Sequence, residues 1–307
     1  MVNLSNFAVI VPTLNAGPEF ASFLASLESQ TVQPRYKILV DSESTDSTVS
    51  QATAAGFQVV PITRASFNHG ATRQLAISYA PEAEFLVYLT QDAVLASPAS
   101  LESLLACFRD DQVAAVCGRQ LPYEDASPLA AHARYFNYPA HSAVKAPADI
   151  ARLGIKAAFL SNSFAGYRRS ALESVGGFPA DVIFGEDTVV AAKFLLNGWS
   201  LTYCAEAACY HSHNYTLMEE ARRYFDIGVL HQAERWILDR FGKPEGEGKK
   251  FVVSELKYLL ENSPFTIPAA FLRTASKLVA YKLGSRWSSI PRWLVQDLSM
   301  NKGYWKK

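Results

Sequence analysis

Two aspartates stand where buried strands of the chain are predicted to end. Asp41 closes an apolar run at 38–41, and Asp92 follows a second run at 85–89. Because the carboxyl ends of parallel strands meet at one edge of a sheet, we expect both carboxylates at the edge where ligands bind. A carboxylate there can accept a hydrogen bond from a nucleobase N–H or a ribose hydroxyl. It can also ligate Mg²⁺ or Mn²⁺ together with phosphate oxygens of a substrate. A single Asp at a strand end could simply cap a turn, where Asp is common. Two Asp at corresponding strand ends favour a binding site.

Charged residues also stand at the starts of two predicted helices. Arg73 follows the FNHG run at 67–70. Its guanidinium group could pair with a carboxylate or a diphosphate, and an ordinary solvent-exposed Arg explains the position equally well. Glu186 and Asp187 open a helix expected to reach about Leu196, and adjacent carboxylates point in different directions rather than forming a dyad. The helix dipole lowers the pKa of the nearer one, which keeps a general base ionised. Plain N-capping is the alternative.

Two histidines lie close together at a predicted strand end. His211 and His213 follow Tyr210, and in an extended segment residues two apart share a face. Both rings can then meet one cation or diphosphate. A histidine pair of this kind is also compatible with a plain polar surface.

The elements that must carry these residues alternate between strand and helix. Apolar runs at 7–12, 38–41, 57–62, 85–89 and 113–117 predict strands, and helical patterns lie near 18–29, 47–55, 70–80 and 99–108. This alternation predicts an α/β fold with a mostly parallel sheet flanked by helices. No GxGxxG follows the first strand and no GxxxxGK[ST] occurs, which argues against a dinucleotide-binding domain and a P-loop.

The second half of the chain is expected to be less regular at first and then helical. Residues 120–165 predict loops and short helices. Thr216 and Glu219 fit the capping box of a long helix that ends near Phe241, with Gly242 as its stop. A linker is expected at 242–250, followed by a helical C-terminal region.

Composition narrows the function classes. The 307 residues carry 29 Lys plus Arg against 29 Asp plus Glu, and 49% are hydrophobic. A net charge of zero argues against a nucleic-acid binder, and the apolar content argues against disorder. The charge is uneven, since residues 1–150 hold 8 basic and 14 acidic residues, whereas from Pro264 onward 8 basic residues oppose only Asp297.

The basic C-terminal region contains a predicted amphipathic helix. Its apolar stripe consists of Phe271, Leu272, Ala275, Leu278 and Val279. Basic residues flank this stripe and two Trp follow, which suits an anionic membrane interface, whereas a helix packed on the domain is the alternative. The N-terminus does not match a signal peptide, and no apolar run approaches the ~20 residues of a membrane span. We therefore expect a cytoplasmic protein, peripheral at the inner face of the cell membrane.

Taken in order, these motifs resemble glycosyltransferase family 2, whose members have the GT-A fold. VPTLN at 11–15, SQT at 29–31, VDSESTDST at 40–48, the 70–73 region, TQDA at 90–93, GGF and GED at 176–187 and a late His follow the family order. Within the family, FNHG at 67–70, TQDA, SNSFAGYRR at 161–169 and HSHNYT at 211–216 resemble bacterial rhamnosyltransferases of O-antigen and related polysaccharides. Those enzymes typically use dTDP-L-rhamnose.

The resemblance implies a role for each candidate residue. The nucleotide-sugar site would comprise Pro12, Thr13, Asn15, Asp41, Arg73, Gln91 and Asp92. Asp92 matches the last carboxylate of the DxD motif and would ligate Mg²⁺ or Mn²⁺, with His211 or His213 on the metal side. Asp187 matches the catalytic base. His69, Asn162 and Glu186 would have acceptor-side or secondary roles.

Two positions depart from the family pattern. Thr90 stands at the first Asp of DxD, so Asp92 would be the single carboxylate ligand and metal affinity would be low without the donor. Ser42 and Glu43 replace the usual acidic-Gly pair, which affects the expected ribose contacts.

The implied reaction is an inverting transfer of L-rhamnose from dTDP-β-L-rhamnose to a saccharide hydroxyl, which gives an α-rhamnoside. The acceptor would be a lipid-linked O-antigen or polysaccharide precursor. The transferase domain would span residues 1–241, with a nucleotide-sugar half at about 1–120 and an acceptor half at about 121–241, and residues 242–307 would form the basic C-terminal region. Alternatives are a UDP-glucose, UDP-galactose or UDP-N-acetylglucosamine donor, or a non-catalytic scaffold.

Overall fold

The computed structural model describes residues 6–242 and 246–306. Within them, one mixed sheet carries nine strands. They are β1 (Phe7–Thr13), β2 (Tyr36–Asp41), β3 (Gln58–Pro61), β4 (Phe85–Leu89), β5 (Val94–Leu95), β6 (Val113–Leu121), β7 (Ala143–Lys145), β8 (Phe164–Arg168) and β9 (Ser200–Tyr210). The five strands predicted from apolar runs are confirmed as β1, β2, β3, β4 and β6.

Helices flank the sheet and continue through the C-terminal region. They are α1 (Phe20–Glu28), α2 (Thr48–Ala54), α3 (His69–Ile77), α4 (Ser100–Ala106), α5 (Pro128–Asn137), α6 (Ile150–Leu153), α7 (Arg169–Ser174), α8 (Glu186–Leu196), α9 (Leu217–Ala233), α10 (Arg235–Phe241), α11 (Glu247–Asn262), α12 (Ile267–Gly284) and α13 (Arg292–Leu298). No helix in the described ranges has the length and apolar character that crossing a bilayer requires.

The strand order explains where a ligand can bind. It runs β3-β2-β1-β4-β8-β6-β9-β5, with the ninth strand, β7, paired to β9 beside this path, and the first four strands are parallel. β8 runs antiparallel to both β4 and β6, whereas β6 and β9 are parallel. The expected α/β class is confirmed, and the sheet is parallel in its first half and mixed in its second. The carboxyl ends of β1 and β4 therefore open at one edge, beside the reversed strand β8.

Each face of the sheet carries its own hydrophobic core. Along β1, Ala8 and Ile10 belong to one core, whereas Phe7, Val9 and Val11 belong to the other. Successive side chains of a strand point to opposite faces, so a strand that is apolar at every position must be covered on both sides. The continuous apolar runs of the sequence are explained by this double burial.

The helix expected from Thr216 to Phe241 is in fact two helices. Its capping box is confirmed, since the Thr216 hydroxyl accepts from the Glu219 N–H at 3.2 Å. The chain leaves helical geometry at Glu234, whose ψ is 43°. The Trp236 indole donates to the Glu234 carboxylate at 2.6 Å across this break, and α10 begins at Arg235.

The structure refines two further expectations about irregular segments. The linker expected at 242–250 is shorter, because α11 already begins at Glu247 after Gly246, whose φ is 80°; residues 243–245 lie outside the described residues. The region 120–165 contains a ten-residue helix, α5. Ser127 caps it and Pro128 occupies its first turn, a local start signal that the Pro-rich composition obscured.

Helix α12 packs on α9 through its small residues rather than its apolar stripe. A Cβ on Gly284 would lie 1.9 Å from the Phe225 carbonyl oxygen, so the two helix backbones are in close contact. Arg273 and Lys277 pair with Glu220 of α9 at 3.0 and 2.7 Å. The stripe from Phe271 to Val279 consequently faces away from the fold.

Candidate active site

One large cavity, of about 830 Å³, opens at the edge of the sheet where β1 and β4 end. Most residues predicted for the site line it, namely Pro12, Thr13, His69, Arg73, Gln91, Asp92, Asn162, Glu186, Asp187, His211 and His213. The structure thus brings together residues from strand ends, helix starts and the late histidine segment. This is the volume range of a pocket for a small ligand such as a nucleotide sugar.

Asp41 and Asn15 lie beside the cavity and not in its lining. Asp41 is buried, accepts from the Thr13 hydroxyl at 3.3 Å and accepts from the Ser44 N–H at 2.9 Å. Asn15 has a left-handed backbone with φ of 45°, and its side chain accepts from the Thr45 N–H at 2.8 Å. Both residues shape the loops after β1 and β2, and their predicted contacts with the nucleotide stay predictions.

The loop after β4 is tied to both neighbouring segments. The Gln91 side chain accepts from the Leu14 N–H at 2.8 Å and donates to the Leu14 carbonyl at 3.2 Å. The Tyr123 hydroxyl donates to the Asp92 carbonyl at 2.7 Å. These bonds fix the backbone of Asp92, so its carboxylate is held toward the cavity.

Asp92 and the two late histidines form a cluster suited to a divalent cation. Nε2 of His211 lies 3.5 Å from Oδ1 of Asp92, and Nε2 of His213 lies 3.7 Å from Oδ2. The three ligand atoms lie within 4.8 Å of one another. Burial lowers the pKa of His211 to about 3 and also lowers that of His213, so both rings are neutral, as metal ligation requires.

A second layer of polar groups sets the orientation of His211. Its Nδ1 donates to Oε1 of Gln120 at 2.9 Å, which leaves Nε2 unprotonated and directed at Asp92. Arg134 donates to the same amide oxygen, and the Gln120 amide nitrogen donates to Ser161 at 3.0 Å. Gln120 lies in β6 just after a register shift in its pairing with β9, between Gly118 and Arg119. Such supporting bonds fix the tautomer of a metal ligand.

A buried ion pair joins the starts of α3 and α8. Nη1 of Arg73 lies 3.1 Å from Oε1 of Glu186, with side-chain exposures of only 6% and 4%. The Asn162 amide donates to the same carboxylate at 2.7 Å, and the Tyr167 hydroxyl donates to the Asn162 oxygen at 2.6 Å. Burial opposes ionisation of Glu186, but Arg73 and its other neighbours lower the pKa below the usual value. Arg73, expected beside the nucleotide, therefore has Glu186 as its carboxylate partner.

Asp187 differs from its neighbour in its environment. Its Oδ2 accepts from the Asn162 N–H at 3.1 Å and its Oδ1 from the Thr188 N–H at 2.7 Å. Burial, together with the charge of Glu186, raises the pKa of Asp187 to about 6. A lowered pKa is therefore found for Glu186, where Arg73 is the main cause of the lowering, and the pKa of Asp187 shifts in the opposite direction. A carboxylate that titrates near neutral pH is a suitable general base.

Local sequence features place both helix starts. The Asn68 side chain caps α3 by accepting from the Gly70 and Ala71 N–H groups at 3.0 and 2.9 Å. Gly70 is required there, because a Cβ would lie 1.7 Å from the Pro179 carbonyl oxygen. Gly185 precedes α8 with φ of 75°, a conformation that favours glycine.

Several lining residues were missed by the sequence analysis. They are Gln120, Arg134, Arg223, Met300 and Asn301. Gln120 lies just beyond the predicted end of β6, so the rule about strand ends would have found it if the strand had been extended. The other four stand in helices or after α13 with no motif around them.

Comparison with known proteins identifies the family. The sequence model described as Glycosyl transferase family 2 matches residues 8–176. The chain is a family 2 glycosyltransferase. The transferase is 48% identical over 303 residues to O-antigen chain rhamnosyltransferase WbaN of Salmonella anatum, covering 98% of this chain and 96% of that protein. It is also 48% identical to O-antigen chain rhamnosyltransferase RfbN of Salmonella typhimurium over 97% of this chain and 95% of that one.

Solved structures establish the fold of the transferase as GT-A. The mannosyltransferase PcManGT from Pyrobaculum calidifontis, in complex with GDP-Man and Mn²⁺, superposes with a TM-score of 0.58 at 20% identity, covering 97% of this chain and 85% of that chain. S. aureus TarS 1–349 in complex with UDP-GlcNAc superposes with a TM-score of 0.54 at 18% identity, covering 96% and 84%.

The cluster of Asp92, His211 and His213 predicts a specific metal preference. Two imidazoles with one carboxylate favour Mn²⁺ over Mg²⁺, which prefers oxygen ligands. We expect Asp92→Asn and His213→Ala each to weaken Mn²⁺ binding at least about tenfold, and Gln120→Ala to weaken it about 10–100-fold through His211. Titration calorimetry with Mn²⁺ in the presence of dTDP measures this.

The exposed His141, which is not in the cavity lining, provides the control for these titrations. His141→Ala should bind Mn²⁺ like the wild type. Equal Mn²⁺ affinity of Asp92→Asn and the wild type would mean that the cluster is not the metal site.

Proposed function

We propose that this glycosyltransferase transfers L-rhamnose from dTDP-β-L-rhamnose to a saccharide hydroxyl during O-antigen synthesis, with inversion to an α-rhamnoside. The sugar assignment is supported by two relatives named as O-antigen chain rhamnosyltransferases, each 48% identical over nearly the whole chain. The catalytic assignment rests on Asp187, a half-buried carboxylate in the cavity whose pKa is about 6. The proposed acceptor is a lipid-linked saccharide precursor.

The donor nucleotide is proposed to bind along the ends of β1, β2 and β4. Pro12 and Thr13 line this part of the cavity together with Gln91. Asp41 directly precedes Ser42, another lining residue, and holds its loop through hydrogen bonds with Thr13 and Ser44. The nucleobase and ribose of the donor would lie along these short loops. The diphosphate would then lie beside the cluster of Asp92, His211 and His213.

The transfer step is a single displacement. Asp187 accepts the proton of the acceptor hydroxyl as that oxygen forms a bond to the anomeric carbon. The bond between the anomeric carbon and the diphosphate oxygen breaks, and its electron pair leaves with the diphosphate. The Asn162 N–H holds Asp187 in place at 3.1 Å, so the base does not need to reorganise before it accepts the proton.

The leaving nucleoside diphosphate gains negative charge in this step. When bound, a divalent cation supplies charge compensation for that diphosphate. Asp92, His211 and His213 are the residues that would hold it, which fits the set of ligand atoms they present. Arg64 and Arg223 add positive charge to the lining of the same cavity.

Replacement of the base tests the proposed function directly. We expect Asp187→Asn to lower the rate of rhamnosyl transfer by about 10²–10⁴-fold, because an amide cannot accept the proton. The affinity for dTDP should remain unchanged, since Asn preserves the shape of the side chain. Transfer is measured with radiolabelled dTDP-rhamnose, and dTDP affinity is measured by calorimetry.

Asp239→Asn serves as the matched control, because Asp239 is exposed and lies outside the cavity lining. It should transfer rhamnose at the wild-type rate. Near-normal turnover of Asp187→Asn would contradict the assignment of the base. Thermal stabilisation by UDP-glucose, UDP-galactose or UDP-N-acetylglucosamine, and not by dTDP-rhamnose, would contradict the donor assignment, and binding without any turnover would indicate a scaffold.

We also propose that the outer face of α12 docks on an anionic membrane surface. Phe271, Leu272, Leu278 and Val279 are 54–59% exposed along one face of this helix. Lys282 and Arg286 are exposed after them, and Trp293 is 67% exposed. An apolar helical face with neighbouring basic and Trp residues suits a lipid interface, and a lipid-linked acceptor would be reached from there.

The exposed stripe of α12 predicts binding to vesicles of phosphatidylethanolamine and phosphatidylglycerol. We expect the double variant Leu272→Gln/Leu278→Gln to bind at least about tenfold more weakly in co-sedimentation, because two apolar side chains no longer enter the lipid. Val144→Gln, which changes an apolar residue 59% exposed on β7, is the control and should bind normally. Equal binding of the double variant and the wild type would refute docking through α12.

A further inference from the structure

The C-terminal segment at 299–301 reaches the active-site cavity although it is remote from the catalytic residues in sequence. It follows α13, and Met300 and Asn301 line the cavity. Ser299 is fully buried. Neither the family match, which covers 8–176, nor a motif in the sequence assigns a role to this segment.

One buried carboxylate holds the segment in place. Asp226 of α9 is only 1% exposed. Its Oδ2 accepts from the backbone N–H groups of Met300 and Asn301, both at 3.0 Å, and from the Asn301 side-chain amide at 2.9 Å. Three donors on one oxygen leave the segment little freedom, so Asn301 is held in a defined orientation.

The contact with Asp226 also determines which end of the Asn301 amide faces the cavity. Because Nδ2 donates to Asp226, Oδ1 is directed at His69, whose Nε2 lies 3.2 Å away. A carbonyl oxygen only accepts, so His69 must carry its proton on Nε2. Nδ1 of His69 is then an acceptor, and it faces Nη1 of Arg73 at 3.5 Å.

The series of contacts ends beside the proposed base. The Arg73 guanidinium that faces His69 also pairs with Glu186, and Asn162 links that carboxylate to Asp187. Asp187, as the proposed base, must face the acceptor hydroxyl. The part of the cavity wall formed by Met300 and Asn301 adjoins this network, so it lies on the acceptor side.

We infer that Asn301 is a positioning residue of the transfer reaction. Through His69 it holds Arg73 against Glu186 beside the base, and with Met300 it forms a wall of the acceptor site. This inference rests on the proposed role of Asp187. It makes the C-terminal region a part of the active site in addition to its proposed membrane contact.

Asn301→Ala tests the inference with two independent measurements. Long-range ¹⁵N NMR of the histidine rings should show His69 protonated on Nε2 in the wild type and a loss of that single tautomer in the variant. With the octyl hexoside that the wild type uses fastest, kcat/KM for the acceptor should fall about tenfold, the equivalent of one hydrogen bond, while the Kd for dTDP stays unchanged.

The neighbouring Lys302, half exposed and outside the lining, provides the matched control. Lys302→Ala should keep the His69 tautomer and the acceptor kinetics. If Asn301→Ala fails to fold, His69→Gln and His69→Ala replace it. Gln supplies one donor and one acceptor, so His69→Gln should retain acceptor kinetics within about threefold of the wild type while His69→Ala loses about tenfold.

An unchanged His69 tautomer in Asn301→Ala would overturn the inference, and so would equal losses in His69→Gln and His69→Ala. A fall in dTDP affinity matching the fall in acceptor kcat/KM would indicate a structural role only, which also contradicts it. Failure of the proposed function gives a different result, because the wild type would then not bind or use dTDP-rhamnose, whereas the NMR comparison would still report on Asn301.

Discussion

The buried ion pair between Arg73 and Glu186 is the interaction on which the active site depends. Its partners come from α3 and α8, and an isolated charge at either place would cost about 3–5 kcal/mol of folding free energy. The pair therefore fixes the start of α8 against the donor half of the fold. It also leaves a negative charge next to Asp187, and burial together with this charge raises the pKa of this proposed base to about 6. The same ion pair thus contributes to the position of α8 and to the pKa of the proposed base.

The sequence predicted the half of the site that strand ends create. Asp92 was expected at the end of an apolar run, and the family resemblance put His211 or His213 on its metal side; the structure places the ligand atoms of all three within 4.8 Å of one another. The ion pair was not predicted, because each of its helices has an ordinary start and nothing local indicates that they meet. Gln120 was missed because β6 continues to Leu121, past the apolar run at 113–117 from which the strand was predicted. Asn301 was missed because its proposed role depends on Asp226, a buried carboxylate in an otherwise ordinary amphipathic helix.

The C-terminal region contributes two surfaces, the outer face of α12 and the cavity wall at Asn301. The charge count of the sequence did not distinguish them. Of its basic residues, Arg273 and Lys277 neutralise Glu220 within the fold, so fewer charges remain for a membrane than the sequence suggests. Small residues of α12 allow close packing on α9, which turns the apolar stripe outward. The same region then continues through α13 to the cavity at Asn301. Removing the whole region would therefore alter the active site as well as the outer face of α12, and only single-site changes separate the two.

The pH dependence of kcat/KM in the wild type and in Glu186→Gln tests the electrostatic account most directly. In the wild type, activity should fall about tenfold per pH unit below about 6, because protonated Asp187 cannot accept the hydroxyl proton. Gln keeps an acceptor for the Asn162 amide but removes the charge that raises the pKa of Asp187, so the inflection should move to lower pH. An inflection that stays in place, or moves to higher pH, would contradict the claim that the Arg73–Glu186 pair tunes the base.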